Sequence, residues 1–329
     1  TYKSPKLFKG FFMHEIIGRK PEKKILDAVY ASKEAELVAV YGRRRVGKTY
    51  LVKNHFQAKK CIYFHITGIK NGALNVQLER YASVLSEVFY SGLAIQAPSS
   101  WMQAFELLTQ AIAQQPASKK VVLFFDELPW LASRKSGALE AIEYFWNRHW
   151  VDDDRFKLVL CGSSSSWMFN KVIRNRGGLH NRVTKKLRLM PFTLEESALF
   201  LKACGLSLST AQVLKIYMVA GGIPYYLKQF DKSRSIDQNI NQLFFSRDGL
   251  FFDEFDEVFF SLFDDAEAYK ELVEIIAKSP EGVARAELER SNAQTGKGGY
   301  LSHRLRDLET SGFILSYTLK KGQREGLYY

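Results

Sequence analysis

The eight residues Gly42-Arg43-Arg44-Arg45-Val46-Gly47-Lys48-Thr49 constrain the fold of this chain most, because they satisfy G-x-x-x-x-G-K-[ST]. Such a loop wraps phosphate oxygens in backbone N–H groups. That requires glycine at its turns, a lysine to reach the β- and γ-phosphates and a hydroxyl for Mg²⁺. Here the residues with those roles are Gly42, Gly47, Lys48 and Thr49. The flanks agree. The apolar run Leu37–Tyr41 before the loop reads as a buried strand, and Lys48–Phe56 after it reads as a helix whose N-terminus points at the anion.

Two further strand ends carry chemistry. Val121–Phe125 delivers Asp126-Glu127 at its C-terminal tip, the edge at which α/β sheets bind ligands. Adjacent carboxylates pointing different ways divide the work: Asp126 holds the metal ion through water, and Glu127 polarises an attacking water. Leu158–Cys161 ends in Gly162 and four serines, of which Ser163 or Ser164 is placed to hydrogen-bond the γ-phosphate or that water. A serine-rich turn that only caps the helix Trp167–Val172 would look the same. With Cys61–Ile66, these runs predict an α/β domain whose strands are buried on both faces of a parallel sheet, and a fifth short strand is expected at Lys186–Met190. Helical spacing over Trp101–Gln114 and Leu139–Trp150 supplies covering helices.

After Pro191 the strand signals stop. Thr193–Phe200 opens with a capping box, Thr193 to Glu196, and Val213–Ala220 ends at Gly221-Gly222. The spacing then predicts helices over Tyr269–Lys278, Arg285–Arg290 and Tyr300–Thr310, followed by strands Phe313–Leu319 and Gly326–Tyr329 around a charged turn. That is the outline of a winged helix-turn-helix. The chain stops on the second wing strand, so further residues are expected beyond it. Residues 1–12 read as an extension ahead of a natural start at Met13.

Charge divides along the same line. The whole chain is +12; residues 264–329 hold 10 basic and 11 acidic residues, leaving 37 basic and 24 acidic among the first 263. Any electrostatic footprint for a polyanion therefore belongs to the N-terminal two thirds. No uncharged apolar run nears the roughly 18 residues needed to span a bilayer. Cys61, Cys161 and Cys204 are too few and too scattered for a disulfide framework or a zinc site. A cytoplasmic protein without a membrane partner is expected.

The stretches IIGRKPE (16–22), AELVAVYGRRRVGKTYLV (35–52), VVLFFDELPWLA (121–132), LCGSSSSWM (160–168), GGLHNRVTKKLRLMPFTLEE (177–196) and GGIPYYL (221–227) together resemble the prokaryotic AAA+ ATPases of the archaeal-ATPase type, akin to the STAND class of signalling NTPases. The resemblance implies a P-loop NTPase core over residues 13–192, a helical lid over 193–262 and a winged helix over 263–329. It implies ATP or ADP with Mg²⁺, the metal being held by Thr49 and Asp126. Lys48, Glu127 and Ser163 are the catalytic candidates. Ile17, Gly18 and Arg19 resemble the box that lies against the adenine. Pro224 resembles the lid proline near the nucleotide. Arg45, Val46 and Tyr50 join the binding set around the loop. Arg182 stands where relatives carry an arginine able to act in trans. DNA or a protein effector is expected at the winged helix, in a monomer or a nucleotide-dependent oligomer. Two other functions stay open: a nucleotide-gated switch with little turnover, and a DNA-associated factor of a mobile-element, toxin or defence system.

Overall fold

Parallel strands form where the apolar runs lie. In a computed structural model, which describes residues 15–133, 135–174, 177–263, 265–291, 298–317 and 327–328, they are β1 (Glu36–Tyr41), β2 (Cys61–Thr67), β3 (Lys120–Asp126), β4 (Phe156–Gly162) and β5 (Lys185–Arg188). The expected extension 1–12, Met13 and the charged wing turn fall outside the described residues. The sheet order is β2-β3-β4-β1-β5 with every pair parallel. β1, β3 and β4 are buried on both faces, as their unbroken apolar runs require. The edge strand β2 departs from that expectation, alternating buried with half-buried residues; β5, at the other edge, buries only Leu187.

Strand alternation sends Leu37, Leu123 and Leu158 to one face and Val38, Val122 and Val159 to the other. The second face is covered by α1 (Lys20–Ala31) and α2 (Lys48–Gln57), and the first by α3 (Leu74–Phe89) and α4 (Trp101–Ala113). After β3 come the single turn α5 (Leu128–Leu131) and α6 (Ala138–Phe145), which runs on as a π-helical turn to Trp150. After β4 comes α7 (Ser165–Met168), with a π-helical turn to Ile173. α1 and α3 have no counterpart in the sequence reading, although Leu78, Tyr81 and Leu85 form a buried helical stripe on α3.

Beyond Pro191 the chain is helical: α8 (Leu194–Ala203), α9 (Thr210–Ala220), α10 (Pro224–Leu227), α11 (Ile236–Ile240) and α12 (Glu254–Leu262). The Thr193–Glu196 capping box forms, and Gly221 ends α9 in the left-handed region. Leu201, Ile216 and Leu227 pack into the same cluster as Val38 and Val40, so these helices close over the α1/α2 face. A separate apolar cluster begins at Phe259 of α12 and takes in α13 (Ala266–Ala277), α14 (Arg285–Ser291) and α15 (Gly299–Ser311). Beside it β6 (Val283–Ala284), β7 (Ser316–Tyr317) and β8 (Leu327–Tyr328) pair antiparallel in the order β6-β8-β7. No helix among the described residues is long and apolar enough to cross a membrane.

One buried cation helps hold the register of the central strands. Lys157, fully buried at the start of β4, donates to the carbonyls of Ser32, Glu34 and Asp154, tying the α1–β1 turn to β4. Lys157→Met removes three hydrogen bonds, although the Ser32 carbonyl keeps the Lys120 ammonium at 2.7 Å, and should cost about 2 kcal/mol. The check is the urea midpoint of the sheet domain, and an unchanged midpoint would remove this tether from the account.

Candidate functional site

The residues with chemistry gather at the C-terminal edge of the sheet. The phosphate loop leaves β1 at Gly42, whose φ is 144°, and enters α2 through Gly47, whose φ is 91°. A side chain at Gly42 would bring its Cβ to 2.2 Å from the carbonyl oxygen of Leu189, just past β5. The loop therefore needs glycine there for close approach as well as for its backbone angle. Arg45 carries a positive φ of 69° without that freedom. Lys48 is 6% exposed; its ammonium donates to the carbonyls of Gly42 at 2.9 Å and Arg43 at 3.0 Å. It thus lies along the inside of the loop it is expected to serve.

Thr49, in the first turn of α2, donates its hydroxyl to Asp126 Oδ2 at 2.7 Å across the width of β4. Asp126 is 2% exposed. Burial works against its charge, yet the nearby His65 imidazole, the Thr49 hydroxyl and the Cys161 thiol outweigh it, and the carboxyl stays below the usual carboxylate range. Glu127 turns in the left-handed region at φ 47°, which swings it away from Asp126. Its Oε2 accepts from the backbone N–H of Ser163 at 3.0 Å and from the Ser163 hydroxyl at 2.8 Å. The tip of β4 thus meets the side chain of Glu127 through Ser163, a partner the sequence reading had aimed at phosphate or water.

Arg19 caps α1, is 4% exposed, and donates to the carbonyls of Met190 at 2.7 Å and Val46 at 3.1 Å. Its backbone N–H donates to Glu196 of α8 at 2.7 Å, so one residue touches loop, sheet edge and helical layer. Gly18 and the half-buried Ile17 precede it in the same turn. The Tyr50 hydroxyl donates to the Glu15 carbonyl at 3.2 Å. Pro224 opens α10, and the two tyrosines after it lie under Arg45, whose guanidinium is 4.5 Å from the Tyr225 ring centre and 5.9 Å from that of Tyr226.

Arg182 stands apart from all of these. The Thr184 N–H donates to the Leu37 carbonyl, which places the start of β5 beside the start of β1. The four residues from Leu37 to the loop rise about 13 Å. The exposed Arg182 therefore lies at the far end of the sheet from Lys48.

Sequence reasoning missed His65 and the pair Tyr226–Glu254. His65 stacks on Phe124 at 4.5 Å, and its Nε2 lies 3.2 Å from the Thr67 hydroxyl and 3.9 Å from Asp126 Oδ2. An imidazole inside an apolar strand was the available signal. For Glu254, the acidic run in DEFDE (253–257) carried no sign of its partner, Arg45.

With this geometry in place, comparisons place the chain among known proteins. A family model described as an ATPase domain predominantly from Archaea matches residues 17–230. An uncharacterised protein of Methanocaldococcus jannaschii is 26% identical over 264 residues, which are 79% of this chain and 54% of that protein. The chain thus spans about half the length of that curated relative. A Walker-type ATPase of Pyrococcus abyssi superposes with a TM-score of 0.64 at 18% identity, covering 95% of this chain and 93% of that one. The ORC2 protein of Aeropyrum pernix, solved as ADPNP–ADP complexes, gives 0.58 at 14% identity, covering 97% and 91%. At these identities the two structures establish the shared fold.

Gly42→Ala, which drives a methyl group into the Leu189 carbonyl, should lower stability by more than about 1 kcal/mol. Thermal unfolding reads this directly, and a melting curve like the parent's would contradict the close packing of the loop.

Proposed function

The chain belongs to the family of ATPase domains found predominantly in Archaea and is a P-loop ATPase by that membership; we propose that it hydrolyses ATP with Mg²⁺ and passes nucleotide state to its C-terminal helices. The observation that carries this reading is the 2.7 Å hydrogen bond from Thr49 to Asp126, with Lys48 on one side and Glu127 on the other.

The donor set suits Mg²⁺. That ion keeps most of its waters and takes only one or two hard oxygen ligands from the protein. Thr49 and Asp126 supply a hydroxyl and an ionised carboxylate side by side. When bound, the metal neutralises phosphate charge. Lys48 supplies a fixed positive charge at the phosphates, and the N-terminus of α2 adds backbone donors. Glu127 takes the proton from the attacking water, and Ser163 holds its carboxylate in one rotamer for that task. His65 orients Asp126. Ile17, Gly18 and Pro224 border the base and sugar, with adenine preferred on the strength of the family. Arg182 is assigned to a neighbouring copy, because its own loop lies at the other end of the sheet.

Coupling is supported by contacts that start in the loop and end in the helices. Arg19 joins Val46 to Glu196 of α8. We read α13–α15 and β6–β8 as a winged helix that acts on the ATPase domain more than on DNA. Asp307 of α15 accepts from Ser166 of α7 and from the Tyr269 hydroxyl at 2.7 Å, and it lies 2.9 Å from His303 Nδ1. Arg304 pairs with Asp265. Asp307 and Arg304 of that helix are thereby engaged within the chain, while His303 and Arg306 stay exposed.

The test is Mg²⁺-dependent ATP turnover of the full chain, of Lys48→Ala and of Glu127→Gln. Both variants should lose turnover, Glu127→Gln by about 10²–10⁴-fold, while Glu127→Gln still binds ATP. Tight binding without turnover in the parent would give the role to a nucleotide-gated switch. No binding would end the ATP reading.

A further inference from the structure

Arginines take three of the four variable positions of the phosphate loop, and two of them turn toward the C-terminal third of the chain. The guanidinium of Arg45 forms an ion pair with Glu254 in the first turn of α12, and Glu257 follows at 3.7 Å. The pair is shielded: the Arg45 side chain is 18% exposed and that of Glu254 11%. The other carboxylate oxygen of Glu254 accepts from the Tyr226 hydroxyl at 2.6 Å. Arg43 lies over the Phe313 ring at 4.7 Å. Phe313 in turn packs on Phe259 of α12, with ring centres 4.7 Å apart. These contacts close a circuit that leaves the loop at Arg45, runs through α12 and Phe259 to Phe313, and returns to the loop at Arg43. Arg188, beside the loop, adds two bonds of 3.0 Å to the last carbonyls of α15, those of Glu309 and Thr310.

A carboxylate beside a phosphate-binding loop is tolerable only while a cation neutralises it. Shielded ion pairs are costly to leave half made, because the remaining charge is desolvated and unpaired. An incoming polyphosphate offers Arg45 a stronger anion and repels Glu254 at the same time. We propose that Arg45 is shared between the nucleotide's phosphates and Glu254, which makes α12 an acidic gate on the loop: phosphate binding draws Arg45 away and loosens the C-terminal helices, and a seated α12 weakens phosphate binding. Glu254 and Tyr226 are positioning residues, since they touch Arg45 and not the phosphates. The gate rests on the ATP reading of the site.

The test uses the full chain, a fluorescent ATP analogue with Mg²⁺, and hydrogen exchange over residues 254–262. Glu254→Gln should tighten analogue binding about five-fold or more, with exchange in α12 already raised before nucleotide is added. In the parent, exchange there should rise on nucleotide addition. Glu254→Asp, which keeps the charge, should stay near the parent on both readouts. In an Arg45→Gln background, Glu254→Gln should change affinity by less than about two-fold. Should Glu254→Gln not fold, Tyr226→Phe, which removes the hydroxyl that steadies Glu254, should shift affinity the same way by less. Unchanged or weaker binding in Glu254→Gln overturns the gate, and so does equal tightening with and without Arg45, which would be a general field effect. A parent chain that fails to bind the analogue overturns the ATP reading instead.

Discussion

The site depends on β4 lying between β1 and β3. Neighbouring strands stand about 4.8 Å apart, so inserting one separates the loop-bearing tip from the carboxylate-bearing tip by about 10 Å. That gap is bridged from above by the first turn of α2, where Thr49 reaches Asp126, and from below by the tip of β4, where Ser163 reaches Glu127. Had β1 and β3 been adjacent, loop and carboxylates would crowd one another. The parallel register also brings every functional strand end to the same edge of the sheet, and the pairing of Ile66 with Phe125 and Thr67 with Asp126 brings His65 to it as well.

Arginine does much of the joining around that edge. Composition alone reads the basic excess of the first 263 residues as a footprint for polyanions. Yet Arg19, Arg43, Arg45 and Arg188 are largely engaged within the molecule, with carbonyls, aromatic rings and acids. The planar fork of a guanidinium suits this role, because it binds two acceptors and stacks on a ring at once. Arg19 shows it fully, holding the Met190 and Val46 carbonyls while lying 4.4 Å from the centre of the Phe192 ring. Burial lowers its pKa, although Glu22 and Glu196 oppose that. Net charge thus overstates how much of this basicity stands free at the surface.

What could be read locally was read well. The strand before the loop, the strand ending in Asp126-Glu127 and the helical start at Thr193 all follow from patterns carried by a few consecutive residues. α1 and α3 escaped because charged and polar residues stand between their apolar ones, although Leu78, Tyr81 and Leu85 keep helical spacing on α3. β2 reads as buried on both faces because an apolar run says nothing about having a neighbour on each side. Ser163 or Ser164 reads as a partner of phosphate or water, and Ser163 instead meets Glu127, since the serines give no hint of the turn that swings Glu127 toward them.

The sequence by itself determined the class of chemistry. The spacing from Gly42 to Thr49 carries the P-loop pattern, and the acids at 126 and 127 close an apolar strand, because such patterns depend on residue type and short-range backbone geometry. Only the tertiary structure decided how the pieces face one another. It separated Arg182 from the loop, set His65 against Asp126 and brought Glu254 onto Arg45 from 209 residues away along the chain. The reason is physical: a hydrogen bond or ion pair depends on distance in space, and strand order and helix packing settle that distance among groups whose positions along the chain carry no trace of it.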